Sequence, residues 1–233
     1  MTDPMLDLSR LEGVPSAVAA AMAAADTILR DRGERPVPAE DSARALLAGA
    51  RASAAMAGEE WEPGSVRLST ELIDLAASIR RTPAGALARA HTLLARDVLP
   101  EADLGRVPTD DPDRLAGLLA LLTTPTQAPA LIRAALAHAE MALLVADSPV
   151  HGLLGRAVEH LVLIEARVDP RAVLVPEQGH RAAGAAYAEN LRHYATGTPG
   201  GVRAWILHCA TALTHGAEVS PLGAARRFTD GAI

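Results

Sequence analysis

The sequence predicts an all-α fold, a helical bundle around a buried central helix, on three observations. Of the 233 residues 49% are apolar, yet the only aromatics are Trp61, Tyr187, Tyr194, Trp205 and Phe228. A core built from Ala, Leu and Val favours close-packed helices, because Ala and Leu have high helix propensity whereas strands prefer β-branched and aromatic side chains. Helix start and stop signals recur from end to end, and strand alternation does not. The run Leu161-Val162-Leu163-Ile164 is apolar at successive positions, and a helix that is apolar all round belongs in the middle of a bundle.

Taken in order, residues 1–14 are expected to be a flexible N-terminus, residues 15–110 a set of N-terminal helices, 111–220 the core, and 221–233 a flexible tail. The first helix is expected from Ser16 to Arg32 and, after a break at Gly33 to Pro38, the second from Ala39 to Ala57. Gly58 to Val66, with Pro63 and Gly64, reads as a loop. Ser69 is placed as the cap of a helix reaching Arg80, and Thr82-Pro83 opens the next by the N-cap and N1-proline rule. The acidic, proline-bearing stretch Leu99 to Pro112 is a connector, and Asp111-Pro112 opens a short apolar helix ending near Thr123. Helices follow from Gln127 to Ala146 and from Gly152 to Val168, the latter ended by Asp169-Pro170, since the residue before proline resists the α conformation. Tyr187, Leu191 and Tyr194 form the seam of one later helix. In the last, behind Thr198-Pro199, the seam is Val202, Trp205, Ile206, Cys209 and Leu213.

The formal charge of −6 is spread along the chain, which gives no footprint for nucleic acid or an anionic membrane surface. Every basic side chain other than histidine is Arg, so lysine Schiff-base chemistry is excluded. The single Cys209 excludes an intrachain disulfide and a cysteine-based zinc cluster, and reads as a small core residue. No apolar run is long enough to span a bilayer. The Ala-rich stretch Ser16 to Ala25 follows Asp3, Asp7 and Glu12 rather than a basic segment, which argues against a signal peptide and for a cytoplasmic protein. No phosphate-cradling Gly-x-x-x-x-Gly-Lys and no Gly-x-Gly-x-x-Gly after a strand is present. His208 and His215 lie seven apart, and His138 has carboxylates nearby in sequence, but none of these is spaced as a metal site requires.

Residues Ser148-Pro149-Val150-His151-Gly152-Leu153-Leu154-Gly155-Arg156-Ala157-Val158-Glu159 resemble the active-site motif H-x-F-x-[DE]-G-N-G-R-x-x-R of Fic/Doc proteins. Gly155 and Arg156 match, and Pro149 fits the proline that often follows the family's His. The resemblance extends over roughly Asp111 to Gly216 and implies a Fic-like helical core. In active members it implies transfer of a nucleotide moiety, usually AMP, to a protein hydroxyl. The His is the general base, the acid holds the metal, the Gly-Asn-Gly backbone and helix dipole receive the phosphates, and the two Arg residues bind phosphate oxygens.

At the reacting positions the chain departs from the motif. Ser148 stands at the base position and cannot take a proton at neutral pH, and Gly152 stands at the metal-holding acid. Leu153 and Leu154 replace Gly-Asn, where they are expected to put apolar bulk at the phosphate position, and Glu159 replaces the second Arg. Upstream, Ser53 to Gly58 resembles the family's inhibitory pattern [ST]-x-x-x-E-[GN] with Ala57 in place of its Glu. Since that Glu pairs with the second motif Arg, the two losses are mutually consistent.

The resulting expectation is a degenerate Fic-like protein without AMP-transferase activity, a binding or regulatory module that takes a protein or small-molecule ligand in the cleft near Arg156. No cofactor or metal is expected. The alternative is a residual or altered nucleotidyl or phosphoryl transferase using ATP with Mg, or unrelated chemistry in the re-lined cleft. There His151 would be a substitute base, with Gly155 and Arg156 binding the anion. Against that alternative, His151 reads as a loop histidine facing solvent or capping a backbone group, and Arg156 as an i, i+3 partner of Glu159. A structural role through homodimer contacts would show as an exposed apolar helix face.

Overall fold

The computed structural model describes residues 3–30 and 37–222. They form twelve α-helices and two 3-10 turns, with no strand among the described residues. The expected all-α class holds. Most of the expected break after the first long helix, and all of the tail beyond residue 222, lie outside the described residues.

Helix α1 spans Pro4–Leu8, within the stretch expected to be flexible. Its N-cap carboxylate, Asp3, accepts bonds from Leu6 N at 3.1 Å, Thr126 Oγ1 at 2.8 Å and Gln127 N at 2.8 Å. Those bonds, with buried Met5, fix α1 on the body of the protein. Helices α2 (Val14–Arg30) and α3 (Ala39–Ala55) follow the predicted spans closely.

The segment expected to be a loop at Gly58 to Val66 is instead a 3-10 turn at Glu59–Trp61 leading into α4, Glu62–Thr70. Pro63 lies in the first turn of α4, where its missing N–H costs no helical bond. Gly64 lies where α4 crosses a later helix: a Cβ there would come within 1.9 Å of Leu94 O. Pro63 and Gly64 therefore serve a helix start and a helix crossing instead of a loop. Ser69 likewise lies inside α4, its hydroxyl donating to Val66 O at 2.7 Å, and does not cap α5, Leu72–Ile79.

Helix α6 is Pro83–Ala95 and α7 is Pro112–Thr123. The predicted connector between them carries a 3-10 turn at Glu101–Asp103, and Asp111 caps α7 through Arg114 N at 2.9 Å. Next come α8 (Ala130–Ala142), α9 (Pro149–Glu165), α10 (Pro176–Ala182), α11 (Ala185–Ala195) and α12 (Pro199–Glu218). Thr198 caps α12 through Gly201 N at 3.2 Å, as its sequence predicts.

Helix α9 is the central helix. It packs on α8 along its length and is covered by α3, α5, α6 and α10, and Leu161, Val162, Leu163 and Ile164 are all buried. Behind it, α12 lies against α2, α8, α10 and α11. One hydrophobic cluster runs from Met5 through α9 to Leu222 and includes residues from both sides of position 110. No described helix is long and apolar enough to cross a membrane.

After α9 the chain turns through Arg167, at φ 62°. The buried Asp169 carboxylate accepts from Val173 N at 2.9 Å and Leu174 N at 2.8 Å. That satisfies backbone donors in a buried segment that has no helix or sheet to do so, and it aims α10 back across α9.

Candidate functional site

The site is organised by where α9 begins. Ser148 is its N-cap and Pro149 its first-turn proline, so the helix starts three residues earlier than the sequence suggests. Proline at N1 is preorganised for a helix and the hydrophobic Val150, 7% exposed, anchors the first turn. The positions corresponding to Gly-Asn-Gly, residues 153 to 155, are therefore inside the helix, where their N–H groups bond to carbonyls one turn back. Only the first four N–H groups of a helix are free to receive an anion. Leu153 and Leu154 are buried in the core at 2% and 0% exposure. Both side chains belong to the hydrophobic core.

His151 lies in the first turn of α9 and is buried, not on a solvent-facing loop. Its Nε2 donates to the Pro108 carbonyl at 2.8 Å, which leaves Nδ1 to accept from the Ser148 hydroxyl at 2.8 Å. Burial pushes its pKa below the usual histidine range, with the Pro108 carbonyl opposing. Ser148 and His151 thus form a neutral hydroxyl-imidazole pair.

Arg156 is 3% exposed. Its Nε donates to Ser53 Oγ at 2.7 Å, Nη2 to Ser53 O at 3.1 Å and Nη1 to Tyr187 Oη at 3.1 Å. The i, i+3 pair with Glu159 does not form. Ser53 to Gly58, the segment matched to the inhibitory pattern, comprises the end of α3 and the turn after it, and it abuts the motif helix through this arginine. Gly155 faces α8: a Cβ there would come within 2.7 Å of His138 Cδ2 and 2.8 Å of His138 O.

In front of Arg156 and Gly152 opens a cleft of about 610 Å³. Met56, Ala57, Leu143, Ala146 and Leu191 give it apolar walls, and Arg156, Arg181 and Arg192 lie along it with Ser148. No ion pair engages Arg181 or Arg192 among the described residues.

Behind the cleft lies a buried polar cluster drawn from five helices: His138 (α8), Glu159 (α9), His180 (α10), Tyr187 (α11), and His208 with Cys209 (α12). Glu159 Oε2 lies 2.5 Å from His138 Nδ1 and 2.8 Å from His180 Nε2. Burial opposes ionisation of Glu159, but His180 and His138 overcome it and hold its carboxyl well below the usual range. Burial pushes His138 down to about 4 and His208 down to about 3, so both are neutral imidazoles at neutral pH. Tyr187 Oη lies 3.0 Å from His138 Nε2, and His208 Nε2 lies 3.0 Å from His180 Nδ1. Arg156, Tyr187 and His138 therefore link the cleft to the core. Sequence reasoning passed over this cluster because the two histidines that meet Glu159, His138 and His180, each lie 21 residues from it along the chain, with no local spacing to mark them.

Next to Glu159 on α9, His160 has Nδ1 3.0 Å from Glu177 Oε1 and Nε2 3.4 Å from Asp169 Oδ2. Burial opposes its protonation, yet the two carboxylates raise its pKa to about 10, so it is an imidazolium clamped between acids.

No family model matches the chain, and no curated protein matches it. Among solved structures it is similar to a Fic family protein from Desulfovibrio desulfuricans G20, with a TM-score of 0.61 and 17% identity. The match covers 93% of this chain and 76% of that one. The chain therefore has an all-α, Fic-like fold.

Proposed function

We propose that this Fic-like protein does not transfer AMP and works as a binding and regulatory module, holding an anionic ligand with an apolar body in the cleft in front of Arg156. The observation that carries this reading is the start of α9 at Pro149, which uses up the N–H groups that a phosphate cradle would need. Ser148 offers no base, Gly152 offers no carboxylate, and Glu159 is committed to the buried histidines. The cleft keeps apolar walls and three arginines. Arginine suits carboxylate and phosphate groups because its planar fork donates two parallel bonds.

Labelled ATP with Mg tests the absence of transfer, and covalent label on this chain or on added protein substrates would refute it. Binding is tested by melting temperature against ATP, inorganic phosphate, a medium-chain fatty acid and its phosphate ester. A ligand at about a hundred times its Kd stabilises by about 2.7 kcal/mol. The amphiphilic anions are expected to raise Tm and Arg181→Ala with Arg192→Ala to abolish the rise, whereas no shift with any anion would refute the cleft assignment.

A second reading rests on the Ser148–His151 pair. Ser148 Oγ would attack the carbonyl carbon or phosphorus of an ester as His151 Nδ1 takes its proton, and the imidazolium would return that proton to the departing alkoxide, leaving an acyl- or phosphoryl-serine for water to hydrolyse, altered chemistry in the re-lined cleft. Labelling by a fluorophosphonate that disappears in Ser148→Ala would establish it.

A further inference from the structure

We propose that His138, Glu159, His180 and Cys209 form a buried four-ligand site for a divalent transition-metal ion, zinc being the best chemical match. Each offers one ligand atom and these atoms all lie within 4.8 Å of one another. A tetrahedral zinc with bonds of about 2.0 to 2.3 Å requires ligand atoms about 3.3 to 3.8 Å apart, so the widest edge closes by about 1 Å. A mixed imidazole, carboxylate and thiolate set suits zinc better than the hard oxygen-seeking cations.

Three further observations point to a ligand here. Glu159 Oε1 is buried without a hydrogen-bond partner, an expensive vacancy for a charged oxygen that a cation would fill. The histidine nitrogens that face Glu159 have their opposite nitrogens held by Tyr187 Oη and His208 Nε2, as metal-ligating imidazoles are commonly oriented by an outer partner. Charge also balances: a dication with one carboxylate, one thiolate and two neutral imidazoles has no net charge, which suits complete burial.

The packing around the cluster is built for close convergence. Gly155 brings α9 against His138. Gly179 does the same for α10, since a Cβ there would come within 2.1 Å of Ala212 O on α12. Neither glycine needs a special backbone angle; both are required by the approach of the neighbouring helix. A closed set of four protein ligands makes the ion structural, tying α8, α9, α10 and α12 together, and Tyr187 connects it to Arg156 at the cleft.

The test uses full-length protein freed of any purification tag. Elemental analysis is expected to give one zinc per chain, and a chelator to lower Tm. Cobalt added to the stripped protein is expected to give tetrahedral visible absorption and a thiolate charge-transfer band. Cys209→Ser, nearly isosteric, is expected to remove that band while circular dichroism stays helical, and Glu159→Gln to weaken the metal about tenfold or more. Wild-type protein that takes up neither zinc nor cobalt, with Tm indifferent to chelator, would overturn the proposal. A charge-transfer band surviving Cys209→Ser would overturn this ligand set. Should either variant fail to fold, the wild-type titration decides alone. None of these readouts depends on the cleft ligand.

Discussion

Arg156 Nε donates to Ser53 Oγ across 2.7 Å, joining residues 103 positions apart. The contact brings the end of α3, matched in sequence to an inhibitory segment, onto the one motif arginine the chain retains. Nη2 adds a second bond to the Ser53 carbonyl at 3.1 Å, and both residues are buried.

From this pair, Ser53→Ala is expected to destabilise by about 1 to 3 kcal/mol, because a buried charged donor loses its partner. Arg156→Met leaves the buried Ser53 hydroxyl without its partner, while the Ser53 carbonyl keeps the bond from Met56 N at 3.2 Å, and is expected to cost as much or more. The double variant should lose less than the sum, with a coupling of about 0.5 to 3 kcal/mol in a denaturant cycle. Strict additivity would show that the bond contributes nothing.

Restoring the base alone is expected to fail. Ser148→His supplies an imidazole at the family's catalytic position, but the N–H groups of residues 153 to 155 stay inside α9. Transfer of labelled AMP in the presence of Mg should remain at background in Ser148→His and in Ser148→His with Gly152→Asp. Activity in either would show that α9 can unwind at its start.

Gly155, which matches a glycine of the motif, packs against helix α8. A Cβ would come within 2.7 Å of His138 Cδ2, 2.8 Å of His138 O and 3.1 Å of Ala142 Cβ. Gly155→Ala gains helix propensity of up to about 1 kcal/mol, but forcing a methyl into a filled contact costs about 1 to 3 kcal/mol. A net loss in chemical denaturation is expected, with cleft binding retained. A stabilised variant would refute the tight contact.

His151 gives a pH dependence of defined sign. Its folded pKa lies below the ordinary histidine value of 6.5, so the unfolded chain binds the proton more readily. Its contribution is present above about pH 6.5 and is lost as pH falls through that value toward the folded pKa, at up to about 1.4 kcal/mol per pH unit. Asp110 favours its protonation and His91 is electrostatically coupled to it. Between about pH 7 and 5.5, wild type should lose more stability than His151→Gln, whose amide can still donate to the Pro108 carbonyl. Equal losses would place the titration elsewhere.

The helix class was legible in the sequence because its causes are local. Asp111 and Thr198 cap α7 and α12 as their side chains predict, and the apolar run from Leu161 to Ile164 is buried at the centre. Local signals misled where they have two meanings. Pro63 and Gly64 punctuate loops, but proline also starts helices and glycine also admits a crossing helix, and α4 uses both in the second sense.

The site was legible only in part. The resemblance to the motif pointed to the helix that carries Arg156 and to a cleft beside it. The partner of Arg156, the burial of Leu153 and Leu154, and the start of α9 at Pro149 do not follow from residue identity.

By itself, then, the sequence determined the all-α class, most of the long helices and which helix is central, because capping and propensity act over a few residues. Tertiary structure alone decided that Glu159 meets His138 and His180 and that Arg156 meets Ser53. Those meetings depend on how helices far apart in the chain cross, and the crossings are set by packing at Gly155 and Gly179 that no local pattern encodes.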